Sequence, residues 1–259
     1  MNLLREIADR TKARIEARKK AVPLERLMET VQGGTRGFPF ETALRAQDMA
    51  FICEIKKASP SKGVIAHEFP YVGIARDYEA AGAAAISVLT EPHYFQGDDR
   101  YLREIADAVS IPILRKDFTV DGYMIYEAKA LGASAVLLIC AILEPESLAE
   151  YIGLAHRIGL SALVEAHDAD EVQTALSAGA RIIGVNNRDL KTFAVDTGNS
   201  IRFRKLVPDG VLFVSESGIQ TREDIKVLRQ NKVDAVLVGE TLMRAPDKKA
   251  ALAGLRGAT

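Results

Sequence analysis

The chain has 259 residues, 48% hydrophobic and 27% charged, enough for one large domain or two small ones with a substantial core. Its 34 Lys and Arg residues balance 35 Asp and Glu to a formal net charge of -1, and the basic residues are spread along the chain instead of clustered. That argues against a nucleic-acid partner, and no run approaches the ~18 uninterrupted apolar residues a membrane-spanning helix needs.

The opening, MNLLREIADRTKARIEARKK, has no signal-type apolar core and mixes acidic with basic residues, so neither a secretory nor a transit peptide is expected and the cytoplasm is the default location. Residues 2–20 predict one charged helix, Pro23 begins a second short segment (PLERLMETV), and GGTRGFPF is an irregular loop leading into FETALRAQ. Residues 1–48 stand outside the pattern that follows. They fit either a helical layer packed across one end of the fold or a solvated appendage.

From residue 51 onward, short apolar runs alternate with amphipathic segments. The runs FICEIK (51–56), AAISVLT (84–90), PILRKDF (112–118), SAVLLIC (134–140), SALVEA (161–166), RIIGVNN (181–187), VLFVSES (211–217) and DAVLVGE (234–240) predict eight strands. Between them YVGIARDYEAAG, DDRYLREIADAVS, DGYMIYEAKALG, EPESLAEYIGLAHRIGL, DADEVQTALSAG and TREDIKVLRQN predict helices, several with an acidic residue or Thr near the start and Gly just past the end. Gly82, Gly132 and Gly179 recur before strands at intervals of 50 and 47 residues, a spacing of two βα units. The whole predicts a (β/α)₈ barrel in a single domain, 1–259, with an N-terminal helical extension. An open doubly wound sheet is the alternative, although no GxGxxG opens any strand–helix turn.

Charge placement within the strands carries the chemistry. Side chains alternate across a strand, so in a barrel Glu54 and Lys56 face inward together while Cys53 and Ile55 face the helices. Lys116 with Phe118, Glu165, Asn186 with Arg188, and Glu216 likewise share one parity within their strands and stand at the C-terminal ends, where this fold keeps its active site. An unpaired buried charge costs several kcal/mol, and folding a barrel requires none of them. Lysines would favour each other's neutral form while the carboxylates favour the charged one, a mixture suited to general acid and base catalysis. The loops SESGIQTRED and VGETLM place Ser217, Gly218, Gly239 and Glu240 near helix starts, the usual phosphate position of this fold, and Ser59 and Ser61 can add hydroxyl donors. Cys53 and Cys140 read as small core hydrophobes, and His67, His93, His156 and His167 have no metal-ligand spacing, so neither metal nor disulfide is expected.

FICEIKKASPSKGVI, ISVLTEPHYFQGD, PILRKDFTVDGYMIYEAKALGASAVLLI, LVEAHDADEV, IIGVNNRDLKTFAVD, VSESGI and VGETLM, in this order and spacing over about 38–243, resemble the indole-3-glycerol phosphate synthase family. The resemblance implies a cofactor-free carboxy-lyase of tryptophan biosynthesis. Its reaction closes the pyrrole ring of 1-(2-carboxyphenylamino)-1-deoxy-D-ribulose 5-phosphate with loss of carbon dioxide and water. It further implies Lys116 as general acid, Glu165 in the dehydration, Lys56 paired with the substrate with a possible share in acid duty, and Glu54 setting the charge of Lys56. Asn186, Arg188, Glu216 and Ser217 would position the substrate, with Ser59 beside them and Phe118 against the aromatic ring. Gly218, Gly239 and Glu240 fall at the phosphate, Glu240 through its backbone N–H because relatives often carry a hydroxyl residue there. The N-terminal extension would cover the mouth. The expected partner is a phosphorylated small molecule, with no nucleic acid and no membrane, and the expected state is a monomer or weak homodimer. A phosphosugar isomerase such as phosphoribosylanthranilate isomerase would explain the phosphate loops, as would a noncatalytic phosphate-ligand binder; neither explains LRKDF together with EIKKASPS.

Overall fold

The computed structural model describes residues 3–32, 37–189 and 192–257, so the GGTR of the expected loop lies outside the described residues. Eight parallel strands close into a barrel: β1 (Ala50–Ile55), β2 (Ala85–Leu89), β3 (Ile113–Lys116), β4 (Ala135–Ile139), β5 (Ser161–Ala166), β6 (Ile182–Asn186), β7 (Leu212–Glu216) and β8 (Ala235–Val238). Each pairs with its neighbours in chain order, and β8 returns to β1 with Ala50 opposite Ala235 and Cys53 opposite Val238. Alternation divides the apolar residues into two layers. Ala50, Ile52, Leu114, Leu137, Leu163, Val214 and Leu237 fill the barrel, whereas Phe51, Cys53, Ile55, Val136, Leu138 and Val164 pack outward beneath the helices. Cys53 and Cys140 are buried in that outer layer with free thiols.

All eight expected strands form, but several stop one or two residues early. Lys56, Phe118 and Arg188 lie just beyond β1, β3 and β6, because the parallel ladder ends where neighbouring chains diverge into loops at the mouth. The six expected helices are α4 (Tyr71–Ala80), α5 (Asp99–Ala106), α6 (Gly122–Ala130), α7 (Pro145–Arg157), α8 (Ala169–Ser177) and α10 (Arg222–Gln230), counted with α1 (Leu3–Ala21), α2 (Leu24–Val31), α3 (Pro39–Arg45) and α9 (Gly198–Arg204). Asp98, Asp121, Asp168 and Thr221 cap their helices by accepting from Arg100, Tyr123, Glu171 and Asp224 N–H groups, each contact contributing about 1 kcal/mol. The glycine repeat is a helix-ending device. Gly82, Gly132 and Gly179 adopt φ of 82°, 93° and 85°, and the next N–H (Ala83, Ala133, Ala180) returns to the carbonyl of Tyr78, Ala128 or Ala175.

Sequence periodicity did not show α9, α11 (Glu240–Arg244), α12 (Lys248–Arg256) or the two-residue pairing of Ala58–Ser59 with Gly63–Val64. These elements are short, and α9 buries only Ser200, which its neighbour Asn187 holds through the Ser200 N–H and hydroxyl. The loop expected over GGTRGFPF ends sooner than read, because Pro39 is preorganised for the first turn of α3.

The N-terminal helices meet both ends of the barrel. Phe40 and Leu44 of α3 pack with Ala50, Ala84, Leu212 and Ala235 at the strand starts, and Arg45 donates to the Gly210 carbonyl at 2.7 Å. Helix α1 lies at the opposite end, fixed by charge. Arg14 donates to both Asp117 carboxylate oxygens at 2.9 Å, Arg18 pairs with Asp99 and with Glu127 at 3.2 Å, and Lys19 reaches Asp121 at 2.6 Å. Behind this layer Arg115, 2% exposed, meets Asp99 at 2.8 Å, Glu127 at 2.7 Å and Asp117 at 3.6 Å. Arg115 also donates to Thr90 and to the Met124 carbonyl. Removing the guanidinium leaves three crowded carboxylates without their central cation. Arg115→Met should therefore lower the unfolding free energy by about 3–5 kcal/mol in urea titrations, whereas exposed Arg10→Met should change it by less than about 1 kcal/mol.

Candidate active site

One cavity of about 570 Å³ opens at the C-terminal ends of the strands. Every residue expected there lines it: Glu54, Lys56, Ser59, Lys116, Phe118, Glu165, Asn186, Arg188, Glu216, Ser217, Gly218, Gly239 and Glu240. Leu137, Ile139 and Leu237 form an apolar floor, Phe95 and Phe118 face one another with centroids 6.1 Å apart, and Leu3, Leu4 and Ile7 of α1 add an apolar rim. The cavity therefore has an aromatic side, a charged base and a loop side formed after β7 and β8.

At the base, Lys116 Nζ lies 3.2 Å from Glu165 Oε2 and 3.4 Å from Glu216 Oε2. Lys56 Nζ lies 2.5 Å from Glu54 Oε1. Burial opposes the charge on Lys116, but Glu165, Glu216 and Glu54 outweigh it and hold the ammonium well above the ordinary lysine value. Burial likewise opposes ionisation of Glu165, and Lys116 with His167 outweighs it, keeping this carboxylate below its usual range. Glu216 behaves differently. Burial raises its pKa, Lys116 pulls it back, and Glu165 and Glu54 repel its charge, leaving it at about 7. One buried site thus holds a cationic donor, an ionised acceptor and a carboxyl poised near neutrality.

Two glycines make space for these carboxylates. A methyl group on Gly184 of β6 would run into the Glu216 carboxylate, and one on Gly239 would run into that of Glu54. At the loop side, Ser217 and Gly218 both have left-handed φ, 68° and 83°, a conformation uncommon for serine. Glu240 turns its side chain to Arg244 at 3.0 Å and Lys62 at 3.8 Å, leaving its backbone N–H at the start of α11. Asn186 Nδ2 approaches Glu165 Oε1 at 3.4 Å, and Asn186 Oδ1 accepts from the Arg188 N–H at 3.0 Å. Ser59 sits in the short pairing after β1.

Sequence reading missed Asp117, His167, Phe95 and the α1 leucines. Asp117 alternates outward from Lys116, joining the Arg14 and Arg115 network while its Oδ1 accepts from the Phe118 N–H at 2.8 Å. A charged residue on the helix-facing parity of the PILRKDF run was the available signal, at both Arg115 and Asp117. His167 falls one residue beyond β5, with Nε2 3.3 Å from Glu165 Oε1.

Paired charges at strand ends, an aromatic wall and two glycine-bearing loops define a (β/α)₈-barrel enzyme equipped to move protons on an anionic small molecule. A family model described as indole-3-glycerol phosphate synthase matches residues 4–255. The indole-3-glycerol phosphate synthase of Ruminiclostridium cellulolyticum is 57% identical over 257 residues, covering 98% of this chain and 99% of that protein. That of Endomicrobium trichonymphae is 52% identical over 248 residues, covering 94% and 95%. The chain belongs to the indole-3-glycerol phosphate synthase family. Among solved structures, a 3-hexulose-6-phosphate synthase aligns with a TM-score of 0.66 at 15% identity, covering 81% of this chain and 99% of that one. Thiamine phosphate pyrophosphorylase from Pyrococcus furiosus aligns with a TM-score of 0.59 at 18% identity, covering 83% and 96%; both likenesses concern the fold alone.

The raised Glu216 carboxyl has a thermodynamic consequence with a definite sign. Between pH 4.5 and about 7 the folded protein retains a proton on Glu216 that the unfolded chain has released, so this group's contribution to stability declines as pH rises through that window. Glu216→Gln should remove that decline: the difference in urea midpoint between variant and parent should grow in the variant's favour from pH 4.5 to 7. Carbon-13 NMR of labelled glutamate should show one carboxyl titrating near neutrality, absent in the variant.

Proposed function

We propose that this chain catalyses the family reaction, converting 1-(2-carboxyphenylamino)-1-deoxy-D-ribulose 5-phosphate to indole-3-glycerol phosphate, carbon dioxide and water, as a carboxy-lyase of tryptophan biosynthesis. The observation that carries the reading is the Lys116 ammonium held between Glu165 and Glu216, beneath an aromatic wall and beside the two glycine loops. Ring closure joins the aromatic carbon bearing the carboxylate to the ketone carbon, and the carbonyl oxygen gathers charge as it becomes a hydroxyl. A buried lysine proton aimed at that oxygen stabilises the developing charge and completes the hydroxyl. Loss of carbon dioxide restores the aromatic ring. The hydroxyl then leaves as water while a proton is withdrawn nearby, the step assigned to Glu165. With the substrate carboxylate ionised, the sum consumes one proton per turnover.

Placement around the cavity supports the remaining roles as we propose them. Lys56, with Glu54 as its counter-ion, faces the substrate and pairs with its anionic groups. Asn186, Arg188, Glu216, Ser217 and Ser59 position the chain of hydroxyls, and Phe118 packs against the anthranilate ring. The N–H groups at Gly218, Gly239 and Glu240 receive the phosphate, for which the left-handed turn at Ser217 and Gly218 supports the reading. The protein acts as a single domain, 1–259, whose extension 1–48 includes the α1 rim of the mouth. It works in the cytoplasm as a monomer or weak homodimer and takes a phosphorylated small molecule as its partner; no helix among the described residues is long and apolar enough to cross a membrane.

The chain contains no tryptophan, so indole fluorescence should rise from a tyrosine background when the carboxyphenylamino substrate is added. No signal at saturating substrate refutes the assignment. Lys116→Met should reduce kcat by about 10²–10⁴-fold with KM within a few-fold, the pattern of a group that acts in the transition state. A change confined to KM would show that Lys116 only binds.

A further inference from the structure

His167 stands behind the cavity wall, between two carboxylates. Its Nε2 lies 3.3 Å from Glu165 Oε1, close enough for an ion pair though off line for a hydrogen bond, and its Nδ1 lies 3.1 Å from Glu171 Oε2. Glu171 Oε2 also accepts from the His167 backbone N–H at 2.8 Å, and the Glu171 N–H donates to the Asp168 carboxylate at the start of α8. The imidazole is therefore held from its own backbone and from the first turn of a helix. It does not line the cavity; Glu165 does.

The charges around the ring are consistent. On the near side are Glu165 of β5, with Lys116 of β3 beyond it and neutral Asn186 of β6 beside it. On the far side are Glu171 and Asp168. From the turn after β4 comes Cys140, whose thiol touches the Glu171 carbonyl and is pushed up by burial and the nearby carboxylates to about 12, so it stays neutral. Burial disfavours the imidazolium, but its contacts with Glu165 and Glu171 outweigh that and raise its pKa to about 10. It is charged throughout the physiological range.

We propose that His167, held by Glu171, is a positioning residue that keeps Glu165 ionised and fixes its Oε1 edge, so that Oε2 faces Lys116 and the cavity. The need arises from the reaction proposed above, on which the inference rests. In the resting site Lys116 is the counter-ion of Glu165. Once Lys116 gives its proton to the carbonyl oxygen, that cation is gone, and a carboxylate only 2% exposed would draw a proton for itself. His167 does not take part in the chemistry and remains charged. It maintains Glu165 as a proton acceptor during the interval before dehydration.

The test is the pH dependence of kcat and KM, followed by indole fluorescence. His167→Gln keeps an N–H donor without the charge, and Glu171→Gln leaves the imidazole but removes its anion. In both, the acid limb of kcat should move up by about one pH unit or more, with kcat down roughly tenfold at pH 6, less at pH 8.5, and KM within about threefold. Adding His167→Gln to Glu165→Gln should change kcat by less than about twofold, since the histidine acts through that carboxylate. Should His167→Gln fail to fold by circular dichroism, Glu171→Gln reads the same limb. An unmoved acid limb, an equal loss at every pH, or an independent loss in the Glu165→Gln background overturns the role of His167. Absence of turnover by the parent protein instead refutes the reaction.

Discussion

A buried ammonium must be surrounded by negative charge, and the Lys116 site shows how this fold meets that demand. Lys116 stands on β3, Glu54 on β1, Glu165 on β5 and Glu216 on β7. Side chains of a (β/α)₈ barrel interdigitate in layers drawn from alternate strands, so residues far apart in sequence meet only when the sheet closes. An open sheet would leave β1 and β7 separated. Several kcal/mol of desolvation would then face too few counter-charges. The glycines at 184 and 239 belong to the same constraint, because a larger residue at either place would displace a carboxylate.

Strand β3 uses both of its faces in this way. Lys116 points into the barrel, while Arg115 and Asp117 on either side of it point outward into a second ionic cluster with Asp99, Glu127, Arg14 and Arg18. The inner cluster is open to the cavity, whereas the outer one ties α1 to the strand that carries the lysine. The apolar face of α1, through Leu3, Leu4 and Ile7, then borders the cavity and limits water at one side of it. A lower local dielectric strengthens each charge contact inside.

Much of this was legible in the sequence because period-two alternation in a closed sheet ties residue parity to a face. Glu54 and Lys56 against Cys53 and Ile55 were enough to place the first pair inside, and the same rule assigned Lys116, Glu165 and Glu216. The resemblance supplied the roles that parity alone leaves open. What remained hidden lies where no period operates. Arg115 resembles any charge near a strand end until its three carboxylates are brought in from α5, the loop after β3, and α6. His167 gave no metal spacing, and its partners Glu165 and Glu171 are informative only once the turn into α8 is known. Helix α9 escaped notice because it is polar and seven residues long. Strand ends were overextended for a related reason, since side-chain alternation continues past the last ladder hydrogen bond.

The bond between Arg14 and Asp117 spans 103 residues of chain. On a ribosome adding about 5–20 residues per second, α1 emerges some 5–20 s before its anchor exists. During that time Tyr123 and Met124, which cover Ile15 in the fold, are not yet made, and the apolar positions of the helix stand among its many charged residues. The α1 rim of the cavity is thus made well before β3 but cannot seat until that strand exists, and the arrangement around Lys116 is completed late in the maturation of each newly made molecule.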